Sequence, residues 1–80
     1  MSLLELPEDL KHEVMQRTER LSRGGAMTMR AAAHAALIQC IEIRRLALSA
    51  EYAKGLSGVP VCVTLLTQVT LLELAAKALP

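Results

Sequence analysis

Aromatic side chains are almost absent from this chain, which has one tyrosine, Tyr52, and neither phenylalanine nor tryptophan. Because aliphatic side chains bury less area than aromatic rings, a core here must be built from Leu, Ile, Val, Met and Ala. At 80 residues the chain is one domain at most, and a domain of this size buries a modest fraction of its surface. We therefore expect a single domain over residues 1–80 with a small core that a second chain would help to cover.

An excess of charge of one sign is also missing, since nine basic residues oppose eight acidic ones and the formal net charge is +1. This balance gives no strong field to attract nucleic acid, acidic substrates or anionic membranes. Two cysteines, with no basic and then apolar leader before them, are typical of a cytoplasmic protein with reduced thiols. The uncharged run 55–72 is short for a membrane span and contains Thr, Gly and Pro, so we expect no membrane insertion.

The first two helices are predicted by their end signals. Pro7 suits a first helical turn, and Gly24-Gly25 offers a left-handed C-cap, which places the first helix at 7–23. Thr28 is a favourable N-cap for an Ala-rich second helix, which continues without Gly or Pro to residue 54.

The third helix is predicted at 60–79, because Pro60 again suits a first turn and the Ala-rich end of the segment is helical. The β-branched residues at 59–70 would also fit a strand, which leaves that alternative open. Residues 1–6 are either a short strand or a flexible lead-in. The predicted fold is a small all-α protein of three helices.

Helices two and three carry more apolar side chains than one small bundle requires. At 100° per residue, both helices are apolar on more than one side. Small residues let another helix approach closely, so the small-residue face of helix two predicts a tight helix–helix contact. We expect the chain to assemble as a dimer or a higher bundle, or to bind a protein partner, through these faces. The predicted contact residues are Ala36, Cys40, Ile43 and Ala47 for the close approach, and Leu37, Ile41, Leu48, Leu66, Leu71 and Leu74 as the surplus available to other chains.

Chemical motifs are not found in the sequence. The histidines and cysteines, His12, His34, Cys40 and Cys62, have no metal-ligand spacing, and no glycine-rich phosphate loop or nucleophile motif is present. Glu13 is expected to form an i,i+4 pair on the solvated side of helix one. We therefore predict no enzyme activity, no metal, no cofactor and no small-molecule substrate. The leading interpretation is a non-catalytic interaction module, such as an adaptor, a small inhibitor or a regulatory subunit.

An alternative comes from the first half of the chain, where the run Leu3-Leu-Glu-Leu-Pro-Glu-Asp-Leu10 precedes a charged amphipathic helix, a glycine turn and Thr28. This arrangement resembles the ribbon-helix-helix family over about residues 2–46. The resemblance implies a dimeric DNA-binding regulator or antitoxin whose strand enters the major groove, with Thr28 near a phosphate. Arg23 and Arg30 would be its further nucleic-acid contacts. Since residues 2–6 include no basic side chain, this interpretation ranks second.

Overall fold

Three α-helices make up most of the chain in the computed structural model, which describes residues 2–79. They are α1, Glu8–Ser22; α2, Met29–Tyr52; and α3, Val59–Ala78. Two short 3₁₀ helices, Leu3–Glu5 and Gly55–Gly58, complete the element order, and no strand occurs among the described residues. The all-α, three-helix prediction is confirmed, and each helix end lies within two residues of its predicted position.

The helix ends follow the expected local chemistry. Thr28 caps α2, since its hydroxyl oxygen accepts a hydrogen bond from the Ala31 backbone N–H at 3.1 Å. Gly24 and Gly25 have φ angles of 98° and 76°, a left-handed conformation that disfavours residues with a Cβ. Pro60 lies in the first turn of α3, where its missing N–H costs no helical hydrogen bond.

Helix α2 occupies the middle of the fold. Both α1 and α3 pack extensively against it, whereas α1 and α3 approach each other far less. The hydrophobic core consequently surrounds α2, and its fully buried members include Val14, Leu37, Cys40 and Leu72. A helix between two neighbours buries two of its faces, and an outer helix buries one.

Two open questions from the sequence are answered by the backbone. Leu3–Glu5 forms a 3₁₀ helix that packs against α3, so the expected strand or lead-in is replaced by a helical turn. Leu6, which follows it, is buried in the core. The β-branched segment 59–70 is helical, so its strand alternative is wrong. Burial of Cys62 and Val69 against the rest of the core stabilises the helix despite its β-branched residues.

Candidate protein-interaction surface

A line of exposed side chains runs along the outer side of α3. It consists of Val59, Val63, Leu66, Thr70 and Leu74, which we call the α3 stripe. Their spacing of four, three, four and four residues keeps them within one narrow sector of the helix. The exposed fractions are 59% for Val63, 46% for Leu66 and 42% for Leu74. The stripe is thus accessible over nearly the whole helix.

Charge is missing from this surface. No charged residue occurs between Lys54 and Glu73, and the Glu73 carboxylate is bound at 2.7 Å by Arg45 of α2, at the flank of the stripe. Contiguous exposed apolar surface of this kind often marks an interaction site in a soluble protein.

The threonines of α3 add little polarity to its exposed side. The hydroxyls of Thr64, Thr67 and Thr70 each donate a hydrogen bond to the backbone carbonyl four residues earlier, at 3.3, 2.9 and 2.9 Å. Each side chain therefore satisfies its hydroxyl donor within the helix. Covering these residues with another apolar surface would leave no hydroxyl donor without a partner.

Half of the predicted contact residues lie inside the chain itself. Ala36, Leu37 and Cys40 are fully buried, and Ile41 and Leu48 nearly so. The predicted surplus residues of helix two, Leu37, Ile41 and Leu48, are therefore not free, because they are buried where α1 and α3 pack against α2. Those five residues form the core and are not available to a partner.

The other predicted contact residues stay at or near the surface. Ile43, Leu66 and Leu74 are exposed, whereas Ala47 and Leu71 are half-buried. Leu66 and Leu74 belong to the α3 stripe, and Ile43 lies on α2. The structure therefore brings only two of the ten predicted contact residues together on one exposed face.

A partly buried polar cluster connects all three helices. Arg44, in the second half of α2, donates two hydrogen bonds of 2.8 Å to the Glu13 carboxylate of α1 and one of 2.9 Å to Gln68 Oε1 of α3. It also donates to the Cys40 carbonyl at 3.2 Å. Glu13 therefore pairs across helices and not with its i+4 neighbour as expected. The sequence interpretation missed this role of Arg44, although its position four residues after Cys40 and four before Leu48 places it within the buried arc of α2.

The cluster shifts the pKa values of its members. The hydrogen bonds from Arg44 lower the pKa of Glu13 to about 2 and in turn raise the pKa of Arg44. Burial, with a contribution from the nearby Glu13 carboxylate, raises the pKa of the Cys40 thiol to about 11. At neutral pH the carboxylate is ionised and the thiol protonated, so neither is tuned for acid–base or nucleophilic chemistry. The cluster is suited to holding the helices in register.

The residues expected to meet nucleic acid are arranged differently from the ribbon-helix-helix pattern. Thr28 uses its hydroxyl oxygen to cap α2, and both Arg23 and Arg30 are exposed. The segment expected to form the ribbon is the 3₁₀ helix Leu3–Glu5. The described part of the chain therefore lacks the strand on which that resemblance depends.

Two cavities lie beside α1 and α3. The larger, about 470 Å³, is lined mainly by apolar side chains, including Met15 of α1, Met29 of α2 and Leu79 after α3, with Glu19 and Arg30 as its charged residues. A second groove of about 310 Å³ lies between the start of α1 and the middle of α3. Over residues 2–79, no group of three or more His, Cys, Asp or Glu side chains is placed to hold a metal ion.

One described segment, Gly55–Ala78, is long and apolar enough to cross a membrane by length and composition, and 22% of its most apolar 18-residue window is buried in this fold. In this fold two polar contacts join α3 to α2, Arg44 to Gln68 and Arg45 to Glu73.

No protein-family model, curated protein or solved structure matches this chain.

Proposed function

We propose that this protein is a non-catalytic interaction module that binds another polypeptide through the α3 stripe. The proposal rests on how the large aliphatic side chains of α3 are distributed between its surface and the core. More of them are exposed than buried: the buried ones are Val69 and Leu72, and the exposed ones are Val59, Val61, Val63, Leu66 and Leu74. A partner with an apolar helix face would cover them.

The energetic argument concerns the exposed part of each side chain. Burying the accessible half of one Val or Leu contributes about 1 kcal/mol to binding. Four such residues in the stripe, without a charge to desolvate and with the Thr70 hydroxyl satisfied internally, supply a favourable apolar contact. The Arg44 cluster keeps α3 in place on α2, so the stripe needs no rearrangement before binding.

A photo-crosslinking residue placed at Leu66 tests the proposal in cells that produce the full chain. We expect ultraviolet light to join the chain to a defined polypeptide, either a different protein or a second copy. The matched control carries the same residue at Ser49, an exposed position on α2 outside the stripe. If the probes at Leu66, Val63 and Val59 give no adduct beyond that of the Ser49 control, the proposed function is wrong.

A further inference from the structure

We infer that the polypeptide covering the α3 stripe is a second copy of this chain, docked with its α3 antiparallel to the first. The inference rests on the proposed function, since it names the partner for the same surface. A two-fold dimer uses one patch on both subunits, and that patch must be complementary to itself.

The α3 stripe is nearly palindromic. In an antiparallel pair centred beside Leu66, Val59 of one copy lies against Leu74 of the other, and Val63 lies against Thr70. Each contact joins an aliphatic residue to a second aliphatic residue or to a threonine whose hydroxyl is bonded within its own helix. The alternating spacing resembles that of the contact positions in a coiled coil, where side chains of two helices interdigitate. The same patch therefore serves as both halves of the interface.

Charge selects the antiparallel orientation. Lys77 continues the line of the stripe one turn beyond Leu74, at one end only. A parallel pair would bring the two Lys77 ammonium groups together, and like charges opposite each other destabilise an interface. In the antiparallel pair, each Lys77 instead reaches the 3₁₀ helix before the other α3, beside Leu56, which is 90% exposed. The nearby Lys54 has its charge paired with Glu51 at 2.9 Å. The aliphatic stem of the lysine can cover such a side chain while its ammonium group stays in water.

The size of the contact sets the expected strength. A helix of 20 residues is about 30 Å long and about 10 Å wide, so a full α3–α3 contact covers roughly 300 Å² on each helix, or roughly 600 Å² in total. That area is smaller than the roughly 1,200–2,000 Å² of stable specific interfaces and corresponds to weak, reversible association. We expect a dissociation constant in the micromolar range and a concentration-dependent monomer–dimer equilibrium.

Sedimentation equilibrium of the purified full chain, from about 1 μM to about 1 mM, tests the inference. We expect the weight-average mass of the wild type to rise with concentration and to reach that of a dimer at the upper end of the range. Leu66→Glu should weaken dimerisation at least about tenfold, which corresponds to about 1.4 kcal/mol. Leu46→Glu is the matched control, because Leu46 is 74% exposed on α2 and lies outside the stripe, and it should dimerise as the wild type does. Far-UV circular dichroism checks that both variants keep their helix content.

Orientation is tested by oxidative crosslinking, with the wild type as control because its Cys40 and Cys62 are buried. Val59→Cys alone should give no crosslinked dimer, whereas a mixture of Val59→Cys and Leu74→Cys chains should give a mixed dimer. A self-crosslinked Val59→Cys dimer would show the parallel arrangement and overturn the inference.

Three further outcomes would reject the second copy as the partner. One is a wild-type chain that stays monomeric over the whole range, and another is equal weakening by Leu66→Glu and Leu46→Glu. If the monomeric chain still crosslinks to a different protein through Leu66, the proposed function stands and only the self-association falls. A monomer that co-sediments with phosphatidylcholine vesicles, in a manner abolished by Leu66→Glu, would assign the stripe to a lipid surface.

Discussion

Glu13→Gln should destabilise the protein more than Arg44→Met, although both changes break the same ion pair. The side chain of Arg44 is 10% exposed and that of Glu13 is 36% exposed. In Glu13→Gln the Arg44 guanidinium stays buried, but the negative charge that balanced it is gone. When Arg44 becomes methionine, its hydrogen bonds to Gln68 and the Cys40 carbonyl are also lost, but the partly exposed Glu13 and Gln68 side chains can be hydrated, and a thioether of similar length fills the core.

The magnitude depends on whether the group left behind is compensated, and only secondarily on the number of hydrogen bonds lost. Hydrogen bonds to charged groups contribute about 1.5–3 kcal/mol each, and a glutamine still accepts one of the two. We expect Glu13→Gln to cost about 2 kcal/mol and Arg44→Met about 1 kcal/mol. For a domain of this size, 2 kcal/mol lowers the Tm by roughly 10 °C. Urea and thermal denaturation followed by circular dichroism measure both values, at one fixed protein concentration in case the chain associates.

The same pair gives a pH dependence of defined sign. The pKa of Glu13 is about 2 in the folded chain, against an ordinary value of 4.5. Because the pKa of Glu13 is lower in the folded than in the unfolded chain, its ionised form stabilises the fold at pH values above the unfolded-state pKa. This stabilisation is lost as the pH falls towards the folded-state pKa. After allowance for solvent screening, we expect the free energy of unfolding to fall between about pH 5 and pH 2 by about 1–2 kcal/mol more in the wild type than in Glu13→Gln.

The reasoning would be refuted if Arg44→Met were as destabilising as Glu13→Gln at neutral pH, or if both cost less than about 0.5 kcal/mol, the range of an ordinary surface change. Parallel stability curves for the wild type and Glu13→Gln below pH 5 would contradict the assignment of the pH dependence to this carboxylate.

Three further changes test other parts of the fold. Thr28→Ala should lower the free energy of unfolding by about 1 kcal/mol in denaturation experiments, because the hydrogen bond to the Ala31 N–H is lost. Thr28→Ser keeps a hydroxyl that can form this bond and should retain most of the stability. Gly58→Ala should cost about 1–3 kcal/mol, because a Cβ there would collide with the Glu51 backbone carbonyl; unchanged stability would refute this close approach. The Cys40 thiol, with a pKa raised to about 11, should react with a disulfide reagent at pH 8 far more slowly in the folded chain than in urea, and equal rates would contradict its burial.

Much of the helical pattern was predictable, because the signals are local. Pro7, Thr28 and Pro60 mark helix starts, and the glycine pairs mark the connections, through backbone effects that act within one turn. The N-terminal segment was not predictable in this way. Leu3 and Leu6 both pack on the hydrophobic core, although two residues three apart in a strand would point to opposite faces, so this shared burial favours the 3₁₀ turn.

The interaction surface was predictable only in part, since the sequence cannot state which apolar face meets another helix. Leu37, Ile41 and Leu66 have equivalent apolar character in the sequence, yet the first two are buried and the third is exposed. Likewise, the position of Arg44 marks it as inward-facing, but its partner Glu13 lies 31 residues away in the sequence and only the fold brings them together.

The sequence by itself determined three helices, a core without aromatic rings and an apolar content beyond what one small bundle needs. Tertiary structure alone decided where the excess lies. Because α2 lies between α1 and α3, its Leu37, Ile41 and Leu48 are covered within the chain, and the large apolar residues it leaves exposed, such as Ile38 and Leu46, are scattered around the helix. On α3 the exposed residues Val59, Val63, Leu66 and Leu74 lie in one line. Helical periodicity defines faces locally, but burial depends on how many helices pack around each one.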